Sequence, residues 1–242
     1  MKIEEKSIIV ADGSVLFYKV SGAGFPLFLL HGNGGSGEYF IHQVPVFSRF
    51  FKVYTVDLRG HGHSTNTQAV LSFKLLSDDL YLITEKENIH SLDILGFSDG
   101  ANIAMRFAAD HPEMVRHLVL NAGNTEVSGM TTPVKIGTQL EYLWFKLLSP
   151  FSRWRKRAAI TVLMLKDTGI TESDLNSISA KTMVLVGKRD VIKLKHSMYI
   201  AESIPEAVFV LISGQGHLFA LKNPKLFNEH ILSFLLEKQV KL

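Results

Sequence analysis

The chain has 242 residues, 46% hydrophobic and 20% charged, which suits one soluble globular unit with a sizeable core and room for a modest insertion. A net charge of +3 falls well short of a nucleic-acid footprint, and neither zinc-finger spacing nor a glycine-aromatic RNA motif accompanies it. Cysteine is absent, which excludes disulfides, thiolate metal sites and cysteine nucleophiles and fits a reducing compartment.

Met1 to Glu5 is polar and does not read as a signal peptide. The longest pure apolar runs, such as Leu27–Leu30, are too short to span a bilayer, so the expectation is a cytoplasmic protein. Ser7–Val10 and Val15–Val20 flank the turn dipeptide Asp12-Gly13 and are predicted to form a hairpin. Leu27–Leu30, Val53–Val56, Leu92–Leu95, Leu118–Leu120, Met183–Val186 and Phe209–Ile212 are continuous apolar runs, as strands buried on both faces require. Between them lie helical patterns. Leu75, Leu80 and Ile83 share one stripe, and Ala101, Ala104, Met105 and Ala108 recur at helical spacing until His111-Pro112 stops them. Phe227, Ile231, Phe234 and Leu235 mark a last helix. A hairpin followed by strand–helix alternation implies an α/β fold: a mostly parallel sheet with helices on both faces.

One stretch breaks the rhythm. From about Asn124 to Ala180 there is no clear buried strand, so residues 124–180 are predicted to be a helical cap and residues 1–123 and 181–242 the core. The stretch contains Tyr142, Trp144, Phe145, Phe151, Trp154 and the basic cluster Arg153, Arg155, Lys156 and Arg157. An insertion after a parallel strand lies over the ligand end of a sheet. Leu143, Trp144 and Leu147, with Leu140, are therefore expected to line a substrate pocket, the cations facing solvent. A basic amphipathic helix can also rest on an anionic membrane surface.

Gly96-Phe97-Ser98-Asp99-Gly100 matches Gly-x-Ser-x-Gly. The motif gains weight from its place between a buried run and a small-residue helix, the strand–turn–helix setting of a nucleophile elbow. Such a turn holds the serine in a strained backbone beside a helix N-terminus, where a developing anion is favoured. A serine hydroxyl needs a base, and a base needs a partner that fixes its tautomer. His217 follows the last apolar run in the loop Gly214-Gln215-Gly216, and Asp190 follows Met183–Val186, giving the order Ser, Asp, His. Backbone donors for an oxyanion are expected at Asp99 and at Asn33, within the glycine-rich segment His31–Gly37. The Asp99 carboxylate either faces the pocket, favouring cationic substrates such as amino-acid esters, or caps the following helix; the cap is the expectation here.

Four blocks in order, His31-Gly32, Asp57–Ser64, Gly96–Gly100 and the Asp190/His217 pair, resemble the α/β-hydrolase superfamily over nearly the whole chain. The Ser-Asp-Gly at Ser98 is locally similar to the esterase-like branch of valacyclovir hydrolase-type enzymes. The resemblance implies an α/β-hydrolase fold, a Ser98–His217–Asp190 triad and an acyl-enzyme route with no cofactor and no metal. It also implies that Asp57–Ser64 braces a loop, so that His61 and His63 are structural. The expected substrate is a small-molecule ester or acyl compound. Carbon–carbon bond hydrolase, thioesterase and amidase activity stay open on the same residues, as does a hydrolase-fold receptor with slow turnover. No nucleic acid or membrane span is expected, and a homodimer is allowed.

Overall fold

The computed structural model describes residues 2–237. Met1, residues 238–242 of the expected core, and the side chains of Ser152 and Arg153, the latter from the basic cluster, lie outside the described residues. The predicted hairpin forms: β1 (Ile3–Ile9) runs antiparallel to β2 (Val15–Ser21), and Ser14 N–H donates to Asp12 Oδ1 at 2.8 Å to close the turn. Six strands follow on the apolar runs: β3 (Phe25–Leu30), β4 (Phe51–Asp57), β5 (Leu92–Phe97), β6 (Val115–Asn121), β7 (Lys181–Arg189) and β8 (Val208–Gly216). The helices in chain order are α1 (Val44–Phe47), α2 (Phe73–Lys86), α3 (Asp99–Asp110), α4 (Thr132–Leu147), α5 (Ser152–Thr161), α6 (Glu172–Asn176), α7 (Leu194–Ser203), α8 (Phe219–Lys222) and α9 (Pro224–Leu235).

The strands make one sheet in the order β1-β2-β4-β3-β5-β6-β7-β8, with β2 antiparallel to both neighbours and the rest parallel. Side chains alternate across a strand, so each parallel strand feeds two cores. Leu27 and Leu29 pack with Phe40, Phe47, Phe219 and Phe227 on one face. Phe28 and Leu30 pack with Leu76, Leu80, Ala104 and Phe107 on the other. The order 4-3-5 means that the chain leaves β3 to one side and later returns on the other. The crevice outside the carboxyl ends of β3 and β5 is thus a topological switch point, the place where such sheets bind ligands.

The β6–β7 connection contains α4, α5 and α6, and an isolated bridge pairs its Met130 with Ile192. No helix among the described residues is long and apolar enough to cross a membrane.

The buried Asp57, at the end of β4, ties two loops near the switch point. Its Oδ1 accepts from Gly37 N–H at 2.7 Å and its Oδ2 from His63 N–H at 2.8 Å, while the Ser64 hydroxyl donates to its carbonyl at 2.6 Å. The turn beneath it admits only glycine at position 62. There φ is +50°, and a Cβ would lie 2.1 Å from Asp57 Oδ2. His61 and His63 are both drawn into this turn, with Nδ1 atoms 3.1 Å from Arg59 O and 3.2 Å from Asp57 Oδ2. Asp57→Ala strands two backbone donors, so urea unfolding should show a loss of about 2–4 kcal/mol. A loss within the ±0.5 kcal/mol or so of an ordinary surface substitution would mean that Asp57 braces nothing.

Candidate active site

Ser98 stands between β5 and α3 with φ 53° and ψ −121°, a conformation that costs an L-residue of order 1–3 kcal/mol and persists only where its surroundings enforce it. The enforcing contacts are backbone ones. Ser98 N–H donates to Asn121 O on β6 at 2.9 Å, and Ser98 O accepts from Ala101 N–H and Asn102 N–H at 2.8 and 3.1 Å. A Cβ at Gly100 would lie 2.1 Å from Leu30 O, and one at Gly96 2.4 Å from Gly100 O. Both motif glycines therefore mark places where backbone lies on backbone. Gly32 approaches the serine itself, since a Cβ there would meet Ser98 Cβ at 3.0 Å.

His31 secures the β3 end of this arrangement. It is fully buried, and burial pushes its imidazole down to about 3, so the ring is neutral. Its Nε2 accepts from Leu58 N–H at 3.1 Å, which leaves the proton on Nδ1 to donate to Gly32 O at 2.7 Å.

His217 follows β8 directly and precedes α8. Its Nδ1 lies 2.8 Å from Asp190 Oδ1, beyond the end of β7, so the structure brings these two predicted residues together. Asp190 Oδ1 also accepts from Ile192 N–H at 3.1 Å, an Asx turn that fixes the carboxyl. α7 starts only at Leu194, so Asp190 does not serve as its N-cap. The Asp190 side chain is 1% exposed and the His217 side chain 20%. The imidazole rests on Phe97, ring centroids 4.8 Å apart, and Phe97 stacks on Tyr39 at 4.3 Å. Among the described residues Ser98 Oγ has no hydrogen-bond partner; it meets His217 across a cavity of about 210 Å³ that both line. Glu126, another acid near the end of β6, accepts from the Ser128 hydroxyl instead.

The cavity wall corrects one expectation about Asp99. Asp99 is among the residues that line the cavity, and its carboxyl caps no backbone N–H of α3. Asp99 Oδ2 accepts from Asn33 Nδ2 at 2.9 Å and Oδ1 from Asn102 Nδ2 at 3.3 Å. Asn33 Nδ2 donates a second time, to Ile160 O at 2.7 Å. The backbone N–H groups of Asn33 and Asp99 make no hydrogen bond among the described residues.

A second correction concerns the roof. Leu143, Trp144 and Leu147 do not line the cavity: they lie on the outer face of α4, 50%, 58% and 72% exposed. The inner face of α4 presents Val134, Thr138 and Phe145, and the cavity is closed by Met130, Val134, Leu163, Met164 and Ile192. The sequence reading also passed over Asn102, Asn124 and Lys166 in the wall. Asn102 sits one helical turn after Asp99, a spacing that does point to it. Lys166 follows a short 3-10 turn (Val162–Leu165) that has no periodicity to read.

The family model described as alpha/beta hydrolase fold matches residues 26–165. Pyrrolizixenacetamide deacetylase from Xenorhabdus hominickii is 26% identical, with 96% of this chain and 98% of that protein covered. The 2-hydroxymuconate semialdehyde hydrolase of Pseudomonas putida is 24% identical over 89% of each chain. The crystal structure of the enol-lactonase from Burkholderia xenovorans superposes with a TM-score of 0.81 at 17% identity, covering 96% of this chain and all (100%) of that one.

Burial pushes the Asp99 carboxyl up from 3.8 to about 6, against the opposing pull of the Asn33 hydrogen bond and the nearby His217. Below 3.8 the group is protonated folded and unfolded alike and costs nothing; between 3.8 and about 6 the unfolded chain ionises it while the fold holds it protonated, so stability falls across that window and levels off above it. Asp99→Asn removes that ionisation cost, while turning one of the two acceptor oxygens into a donor that faces Asn33 or Asn102, a penalty that does not vary with pH. Chemical denaturation should show the stability of the variant relative to wild type rising by about 1–3 kcal/mol from pH 4 to pH 8. A difference that does not vary with pH would contradict this origin.

Proposed function

The chain belongs to the alpha/beta hydrolase fold family, and on that premise we propose that it cleaves small carboxylic esters through an acyl-enzyme on Ser98. The observation that carries the reading is the strained Ser98 turn facing the same cavity as a histidine whose far nitrogen is held 2.8 Å from a buried carboxyl. With Nδ1 committed to Asp190, Nε2 is the nitrogen left to act on Ser98.

In this mechanism Ser98 Oγ bonds to the substrate carbonyl carbon as its proton passes to His217 Nε2. The carbonyl electron pair moves to oxygen, to which the backbone N–H groups of Asn33 and Asp99 donate hydrogen bonds. Collapse of the intermediate breaks the bond to the alcohol, which leaves with the proton held by His217. A water then attacks the acyl group by the same steps and restores Ser98. Asp190 holds the imidazole in orientation and balances its charge.

Substrate size and polarity are argued from the wall. A volume of about 210 Å³ suits a small acyl or alcohol part, and Met130, Val134, Leu163, Met164 and Ile192 suit an apolar one. Besides His217, the charged lining groups are Asp99 and Lys166, of opposite sign, which favours a neutral substrate over an amino-acid ester. The relatives include a deacetylase, a semialdehyde hydrolase and an enol-lactonase, so amide, thioester and carbon–carbon bonds are the comparison substrates for the assay.

Ser98→Ala should abolish ester hydrolysis and labelling by a fluorophosphonate probe while circular dichroism stays that of wild type. His217→Ala should cost nearly as much, because residues that act as a unit do not add. Asp190→Asn should lower kcat by about 10³–10⁴ with a smaller change in KM, through the wrong histidine tautomer. Retained labelling in a folded Ser98→Ala protein would sink the assignment. Faster turnover of an amide, a thioester or a carbon–carbon substrate than of any ester would move the reaction class and keep the residues.

The wall makes a separate forecast. Leu163→Ala should enlarge the cavity and shift the preferred acyl chain toward longer esters by at least about tenfold in kcat/KM ratio, the scale of one or two methylenes in an apolar pocket. An unchanged preference would place the acyl chain elsewhere.

A further inference from the structure

We propose that the outer face of α4 seats the protein on an anionic membrane surface. α4 is apolar on two sides. Val134, Thr138 and Phe145 face the protein, while Ile136, Leu140, Leu143, Trp144 and Leu147 form a second stripe pointing away from it. At 3.6 residues per turn the second stripe falls within an arc of roughly 100°, and Phe151, just beyond the helix, extends it. All six are between 50% and 72% exposed, so large side chains that elsewhere fill the core are gathered here in water. A contiguous exposed apolar patch of this kind marks an interaction surface.

Charge selects the partner. Residues 132–161 carry Lys135, Lys146, Arg153, Arg155, Lys156 and Arg157 against the single acid Glu141, a net +5. The whole chain carries +3, so everything outside this segment sums to −2. On the helical wheel Lys135 and Lys146 border the apolar stripe along one edge, and Arg155, Lys156 and Arg157 are exposed on the following helix. An apolar stripe edged by cations matches the boundary between anionic headgroups and acyl chains, where leucine and tryptophan enter the lipid and lysine and arginine stay with the phosphates. A second copy of the chain is a poor occupant, because pairing this face with itself would set Lys135 and Lys146 of one copy against those of the other. A nucleic acid would satisfy the cations and leave the stripe in water. The placement has a use: α4 carries Val134 on its inner side, so the bilayer would lie against the roof of the cavity. The proposal does not depend on which bond Ser98 cleaves.

Vesicle sedimentation with the full chain tests it. Wild type should sediment with phosphatidylcholine vesicles containing phosphatidylglycerol at low salt, about tenfold or more better than with phosphatidylcholine alone, and high salt should weaken the binding. Tryptophan emission should shift to the blue on binding, since Trp144 would leave water. Leu143→Glu/Leu147→Glu should weaken binding by about tenfold or more with an unchanged thermal melt, because both positions are exposed. Lys146→Glu/Arg155→Glu/Lys156→Glu should remove the preference for anionic lipid. No binding to anionic vesicles at low salt, or equal binding to both compositions, overturns the proposal. So does a concentration-dependent dimer that the Leu143→Glu/Leu147→Glu protein loses and that does not sediment with vesicles, since a second copy would then cover the face.

Discussion

The approach of α3 to the end of β3 leaves no room for a methyl group. A Cβ at Gly100 would fall 2.1 Å from Leu30 O and 2.6 Å from His31 O, so two backbones, rather than interlocking side chains, fix the distance between helix and strand. Ser98 inherits its left-handed φ from that distance, because the chain has to turn from β5 into α3 within one residue. The rest of the site is arranged around this point. Gly32 comes up beside Ser98 from β3, and His31 pins the same loop to β4 through Leu58 N–H. His217 reaches the cavity from the end of β8, and Asp190 meets its far nitrogen from the end of β7. Contacts between backbones tolerate less adjustment than contacts between side chains, which have rotamers to spare.

The strands were legible in the sequence because unbroken apolar runs mark them, and all six runs fall inside β3 to β8; burial on both faces accounts for the runs of β3 to β7, whereas Phe209–Ile212 falls in the edge strand β8, where only Ile212 is buried. The Asp190–His217 pairing was legible because each residue lies within five positions of the end of such a run, where a parallel sheet presents its ligand end. The pocket wall was not. A helix with apolar residues on two sides gives periodicity no means of telling which stripe faces inward, and the leucine and tryptophan stripe of α4 was the more conspicuous of the two. What separates them is the fit of Val134 and Phe145 to the structure beneath, which is a property of the fold rather than of the helix. The lining residues Leu163 and Met164 lie in a four-residue 3-10 turn, too short for any period. The orientation of Asp99 was undecidable for a different reason: its partners Asn33 and Asn102 lie on different elements, and only the close approach of β3 and α3 brings both to one carboxyl.

The buried ionisable groups fall into two kinds. Asp57 and Arg59 are saturated with partners: Arg59 gives two bonds to Asp79 and further ones to Asp12 and Ser14. Those groups set loops, with four of the five guanidinium N–H donors committed. Asp99 is buried with two neutral amide partners and, among the described residues, no cation within hydrogen-bond reach, which is why desolvation governs it.

Asn33 has two amide protons, and both are committed, one to Asp99 Oδ2 and one to Ile160 O at the end of α5. Three stretches of chain far apart in sequence thus share one planar group about two ångströms across. Any outward swing of α5 has to strip a proton acceptor from that group, and any turn of the amide to follow the swing strips the other. The coupling is steric bookkeeping at a single bond axis: the torsion of one asparagine side chain cannot relax toward the roof and toward the elbow at once.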